Sequence, residues 1–300
     1  MKYERGHRSK NVEDARGSAP PRAGKALKLG GGAMVLAIIA VIAKVAGVNI
    51  PGLDKLAGSG GGGSGPGAGG GAQPSPPSGP STGLTGSDPD AALYDFINFV
   101  VDDIQPTFAK AFARSGKTYR DAKLKVFREA VDTGCGLSSS AIGPFYCPPD
   151  EKAYIDLSFY KQLRADLGAP GDFAQAYVLA HEFGHHCQHV LGIDDMVRRA
   201  ARDRSRESDL SVRTELQADC FAGIWAHSTA QRKLIEAGDI EESLTAAAAI
   251  GDDRLQKMAG QKVNPETFSH GSSAQRVRWF RRGFDQGTLE ACDTFAARDL

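Results

Sequence analysis

His181-Glu182-Phe183-Gly184-His185 is the segment whose residue types and spacing point most directly to chemistry. Two histidines four apart on a helix are separated by one turn plus about 40°, so they share a face and can grip one metal ion. Glu182 is rotated by about 100° from His181 and reaches a metal-bound water from beside the metal. A zinc ion held in this way lowers the pKa of its water towards about 7, and the adjacent carboxylate takes the proton. A catalytic zinc also needs a third protein ligand. Glu215-Leu216-Gln217-Ala218-Asp219 offers one in Glu215. Asp219, four residues on and on the same face, is placed to accept the outer N–H of a ligand histidine, with His181 expected, and so fix its tautomer. A solvated face for Glu215 and Asp219 fits poorly with the neighbouring Leu216, Ala218, Cys220, Phe221, Ile224 and Trp225. A buried carboxylate requires a partner. These residues predict one Zn²⁺ per chain.

Such side chains must be carried on firm elements. The spacing predicts a helix over 172–191, with Asp172 and Gln175 as a capping pair and Gly192 closing it. Tyr177, Ala180, Gly184, Cys187 and Leu191 form its apolar stripe. The three-histidine pattern HExxHxxGxxH fails, because Gln188 and Leu191 stand where Gly and His are needed. His186 and His189 are therefore read as structural or supporting. Further helices are predicted over 92–112, with Pro106 as a kink or break, and over 211–227 and 241–258. Residues 153–160 read as a strand running into a helix, and Tyr154 to Leu157 as an edge strand to receive an extended peptide. Strand signals are few, so the expected class is α+β, mostly helix with a small sheet.

The first 87 residues read differently. Residues 1–28 hold eight Lys or Arg against three acids and show no apolar period, which predicts an unstructured basic tail. Residues 29–50 are nearly uncharged and reach the roughly 20 residues of a spanning helix if Lys44 snorkels. The basic flank then places the N-terminus in the cytoplasm and the rest outside, in a single-pass cell-membrane protein with an extracytoplasmic catalytic domain. A cleaved signal peptide is the rival reading. Residues 51–87 are rich in Gly, Ser and Pro and read as a flexible linker. The globular domain spans 88–300. Basic and acidic residues balance at 36 each, so no net field favours nucleic acid.

All five cysteines fall in that domain. Cys135 and Cys147 bracket a turn-rich run and are the first expected disulfide, worth about 3 kcal/mol in the chain-entropy model. Cys220 with Cys292 is the second, which leaves Cys187 as a buried thiol. No CxxC pair suggests a structural zinc knuckle.

The segments TGCG, GPFYCP, GDFAQAYVLAHEFGHHCQHVLGI, ELQADCFAGIWA, IGDDRLQ and FSHGSSAQRVRWFRRGFDQG together resemble the bacterial neutral zinc metallopeptidases of the YpfJ type. The resemblance covers nearly all of 88–296 and the layout of apolar stretch and linker. It implies a zincin-like peptidase that hydrolyses peptides or proteins. The family's HExxH falls on His181, Glu182 and His185, and its ELQAD on Glu215 and Asp219. Its Thr-His-Gly-Thr segment falls on Ser269-His270-Gly271-Ser272. Cys187 and His189 stand where Val and Asn are expected in relatives. The ExxxD arrangement is also similar to thermolysin-like peptidases, in which a later His or Tyr steadies the oxyanion, and that analogy makes His270 the candidate. Asp252, Asp253 and Arg254 are read as a structural or supporting cluster with no catalytic role. Two other readings stay open: a zinc-stabilised, membrane-tethered binding module without proteolytic activity, and a hydrolase of non-peptide bonds.

Overall fold

The computed structural model describes residues 1–18 and 88–300. In chain order the elements are β1 (Val12–Asp14), α1 (Ala91–Arg114), β2 (Lys123–Phe127), β3 (Ala130–Thr133), β4 (Gly136–Ser139), β5 (Phe145–Cys147), β6 (Lys152–Asp156), α2 (Ser158–Ala165), α3 (Asp172–Leu191), α4 (Ile193–Ala200), α5 (Glu207–Gln231), α6 (Asp239–Ala249), α7 (Asp252–Met258) and α8 (Ser273–Gln286). The expected mostly helical α+β class holds. The main sheet has strand order β1-β2-β6-β5, and β3 and β4 form a separate hairpin.

Leu124 and Val126 of β2 are fully buried, and four of the five residues of β6 are buried. A strand enclosed on both sides reads as a continuous apolar run rather than an alternating one. β6 is paired on both edges, parallel to β2 and antiparallel to β5. This corrects the expectation that Tyr154 to Leu157 forms an edge: among the described residues the outer strands of this sheet are β1 and β5. One apolar cluster runs from α1 and the central strands through α3 to α5 and α8. Pro106 lies inside α1, which continues through it from Ala91 to Arg114.

Two close approaches position the functional helices. A Cβ on Gly184 of α3 would sit 2.9 Å from the Ala218 carbonyl oxygen of α5, and one on Gly283 of α8 only 1.9 Å from that of Cys220. Glycine at these points lets three backbones pack tightly. Gly192 closes α3 in the left-handed conformation, as expected. The start of α3 departs from expectation. Gly171 is the cap and Asp172 is already helical, with its carboxylate 3.0 Å from the Met1 ammonium. The predicted helix over 241–258 divides into α6 and α7 at Ile250-Gly251, where a Cβ on Gly251 would meet the Ser273 backbone N at 2.4 Å.

Both expected disulfides are present. Cys135–Cys147 ties the β3–β4 turn to β5, and Cys220–Cys292 ties α5 to the C-terminal segment. Cys187 is free and buried, and burial pushes its thiol well above the ordinary range, which makes it a poor nucleophile.

The largest correction concerns the N-terminus. An unstructured tail over 1–28 does not hold for residues 1–18, because β1 pairs in parallel with β2 and Met1 is buried. Both arginines that anchor this segment find carboxylates: Arg16 meets Asp14 and Asp88, and Arg8 meets Asp95. The apolar stretch 29–50 and the linker 51–87 lie outside the described residues. Among the described residues no helix is long and apolar enough to cross a membrane.

Candidate metal centre

His181 and His185 leave α3 on one face, and Glu215 reaches them from α5. The His181 Nε2 lies 3.2 Å from one Glu215 carboxylate oxygen, and the His185 Nε2 lies 3.6 Å from the other. The two imidazoles are perpendicular, with centroids 4.8 Å apart. One ligand atom from each of the three residues lies within 4.8 Å of the others. Two imidazole nitrogens and one carboxylate oxygen, with a cavity on the remaining side, form the donor set of a catalytic zinc with an open position. The residues therefore fit that ion. The structure brings together every residue expected to hold it.

Each histidine is oriented from behind. The His181 Nδ1–H donates to Asp219 at 2.8 Å, which leaves Nε2 as the nitrogen turned to Glu215 and available to a metal. Asp219 is wholly buried and accepts three further hydrogen bonds. Tyr177 donates at 2.5 Å, and Arg276 donates at 2.8 Å from Nε and 2.9 Å from Nη2. The His185 Nδ1 donates to the Gln188 side-chain oxygen at 2.8 Å, and Gln188 is itself held by the Thr214 carbonyl and Gln217. Tyr177, Gln188 and Arg276 were not visible as site residues in the sequence. Tyr177 sits in an apolar stripe, Gln188 occupies a failed motif position, and Arg276 hides in a run of basic residues that reads as surface.

The electrostatics follow from burial and these partners. Burial disfavours a charged His181, yet Asp219 and Glu215 outweigh it and raise that ring to about 10. The field that attracts a proton there would also attract a metal cation. Burial acts to raise Glu215, but His185, His181 and His270 hold it well below the usual carboxylate range. Asp219 is likewise depressed, against its burial, by Arg276 and His181. Glu182 goes the other way: burial raises it, and His185 and His181 only partly offset this.

His270 lies on the loop between α7 and α8. Asp252, the first residue of α7, holds that loop. Its carboxylate accepts the backbone N–H groups of Ser269, His270 and Gly271 at 2.7, 2.6 and 3.1 Å, and the His270 Nδ1–H at 3.0 Å. This fits the reading of Asp252 as a structural or supporting residue, and gives that support an object, the ring of a cavity residue. A cavity of about 320 Å³ is lined by Glu182, Glu215 and His270 together with His181 and His185, and has an apolar wall that includes Phe145, Phe159 and Val178.

Residues 1–295 match the family described as "Putative neutral zinc metallopeptidase". The chain belongs to this family. It is 42% identical to the protein YpfJ of Escherichia coli (strain K12) over 301 residues, which cover 98% of this chain and 99% of YpfJ. It is 45% identical over 193 residues to Mb2605 of Mycobacterium bovis and Rv2575 of Mycobacterium tuberculosis, covering 61% of this chain and 65% of each relative. No solved structure matches. Family membership and the donor set agree on zinc.

Two other clusters differ from this one. His186 is buried, with Nδ1 accepting from the Tyr146 hydroxyl at 2.9 Å and Nε2 donating to the Arg120 carbonyl at 2.6 Å. His189 lies between Asp194 at 2.7 Å and Glu151 at 3.3 Å. Asp172, Asp239 and Glu242 also gather as a triad, but the Met1 ammonium already sits on Asp172 and Asp239.

Proposed function

We propose that this chain is a zinc-dependent peptidase that hydrolyses peptide bonds with Glu182 as general base. The observation that carries this reading is the convergence of the His181 and His185 Nε2 atoms on the Glu215 carboxylate, in a cavity that Glu182 and His270 also line. His181, His185 and Glu215 would hold the ion, which when bound supplies Lewis acidity to a water molecule and to the scissile carbonyl. The chain's own residues do the rest. Glu182 accepts the proton of the attacking water and delivers it to the leaving nitrogen. Its burial-raised affinity for a proton suits both halves of that transfer. His270, oriented at Nδ1 by Asp252, presents Nε2 to the developing oxyanion. The free edge of β5 beside the cavity offers backbone groups to an extended substrate. Helix α3 with its histidine pair, followed by Glu215 on α5, supports the zincin-like reading that the family resemblance implied.

Glu182→Ala tests the reading. The variant is expected to keep stoichiometric zinc and its thermal stability while peptide hydrolysis falls by about 10²–10⁴-fold. Undiminished cleavage would remove Glu182 from the mechanism. If the wild-type protein holds zinc, melts when the metal is stripped and cuts no member of a peptide library, the binding-module reading replaces the peptidase.

A further inference from the structure

We infer that residues 1–18 are an integral strand-bearing arm of the metallopeptidase domain and therefore lie on the same side of any membrane as residues 88–300. The sequence led to the opposite expectation, with a basic tail in the cytoplasm, one crossing over 29–50 and the domain outside. A single crossing would place β1 and β2 on opposite faces of a bilayer.

The contacts between arm and domain are of the kind found within one folded unit. β1 joins β2 in parallel register, Val12 opposite Leu124, Glu13 opposite Lys125 and Asp14 opposite Val126. The ladder extends at both ends, as the Leu124 N–H donates to the Asn11 carbonyl and the Ala15 N–H to the Val126 carbonyl, each at 2.8 Å. Without the arm, β2 would present an unpaired edge. Glu13 binds Lys152 of β6 at 2.9 Å, one strand further into the sheet.

Arg16 closes the arm. Its side chain is 3% exposed and pairs with Asp88 at 2.8 Å, where the chain rejoins the domain, while its guanidinium lies 4.2 Å from the centre of the Tyr94 ring. A guanidinium this buried, set against one carboxylate from the arm and one from the domain, is strongly destabilised if either is absent. The ends of the intervening segment are thus ion-paired to each other. The family match, which begins at residue 1, covers arm and domain together. The inference stands whether or not the metal centre cuts peptides. The two disulfides favour an oxidising compartment for the shared unit.

The test uses the full chain in intact cells. Lys10→Cys in the arm and Lys161→Cys in the domain, both at exposed positions, are made separately and treated with a membrane-impermeant maleimide. The expected result is equal labelling of the two before lysis. Equal protection of both would also support the shared side. Labelling of Lys161→Cys with full protection of Lys10→Cys would overturn the inference. A second measurement guards against arms that dock only after lysis. Glu13→Cys and Lys125→Cys are combined, and a protease site is placed between arm and domain. Paired strands lie about 4.8 Å apart, within disulfide reach. After oxidation in intact cells and cutting, the arm is expected to stay attached to a single domain until a reductant is added. Release of the arm without reductant would overturn the inference, and so would a cross-link joining two chains, since the arm would then belong to another copy.

Discussion

Helix α3 carries two pairs of histidines, and the contrast between them shows what separates a reactive site from a structural one. His181 and His185 are each fixed at Nδ1 by a side chain, and both turn Nε2 to the same carboxylate at the edge of a cavity. His186 and His189 have both nitrogens committed, to Tyr146 and the Arg120 carbonyl in one case and to Asp194 and Glu151 in the other. Residue type and helix are the same. The difference is whether the ring keeps one nitrogen for a ligand after its supports are satisfied. The acidic clusters repeat the lesson, since Glu215 faces imidazoles and open space while Asp172 and Asp239 are already matched by the chain's own ammonium.

Removing one ring from each pair breaks this contrast most sharply. His181→Ala is expected to lose both stoichiometric zinc and hydrolysis. His186→Ala is expected to keep both, at a cost of about 1–3 kcal/mol for the partners left unpaired. Metal analysis after dialysis, together with denaturant melts, reads both outcomes. Equal loss of zinc in the two variants would erase the distinction. Next in size is the oxyanion candidate. His270→Ala should lower kcat by about 10²–10³-fold with zinc retained, and Asp252→Asn should do the same to a smaller degree, because it loosens the ring without deleting it. Unchanged kcat in His270→Ala would return that histidine to a packing role.

A smaller effect tests the support behind His181. Asp219→Asn keeps the shape but weakens the acceptor that fixes the His181 tautomer, and is expected to lower zinc affinity by about 10–100-fold. Arg276→Gln should act through the same carboxylate, since the guanidinium donates two of its hydrogen bonds. Competition with a chelator of known affinity measures both. Wild-type zinc affinity in Asp219→Asn would show that His181 is held by packing alone.

Much of this centre was legible in the sequence because helical periodicity converts spacing into a shared face. His181, Glu182 and His185 needed only that rule, and Glu215 with Asp219 needed it a second time. Cys135–Cys147 followed from the turn-rich run the two cysteines bracket, whereas nothing local joined Cys220 to Cys292, 72 residues away. What remained hidden depends on long-range contact. Arg276 lies 57 residues beyond the carboxylate it holds, and nothing local separates it from the exposed arginines near it. Asp252 becomes important only through a loop 17 to 19 residues away. The arm was missed for a related reason. β1 has three residues, too few for a periodic signal, and its basic neighbours read as solvated until carboxylate partners such as Asp88 and Asp95 are in place.

The two histidine environments also carry opposite pH signatures in the zinc-free protein. His181 is raised from 6.5 to about 10, because Asp219 and Glu215 outweigh its burial. A group with a raised folded value contributes stability that is complete below 6.5 and is lost as pH climbs through about 10. His186 is lowered from 6.5, chiefly by burial, so its contribution is complete above 6.5 and is lost as pH falls through its folded value. The Met1 ammonium, raised from 8.0 to about 10 by Asp172, Glu236 and Asp239 against its own burial, adds to the alkaline loss whether or not zinc is present. Zinc takes the nitrogen that would hold the His181 proton, so loading should remove the His181 share of that loss and leave the Met1 share. The stability gained on adding zinc is therefore expected to grow between pH 6.5 and 10. Melting the zinc-free and zinc-loaded proteins side by side across that range measures it. A gain that stays flat would mean that His181 holds no proton for the metal to displace, and that the carboxylates around it are not what tunes it for zinc.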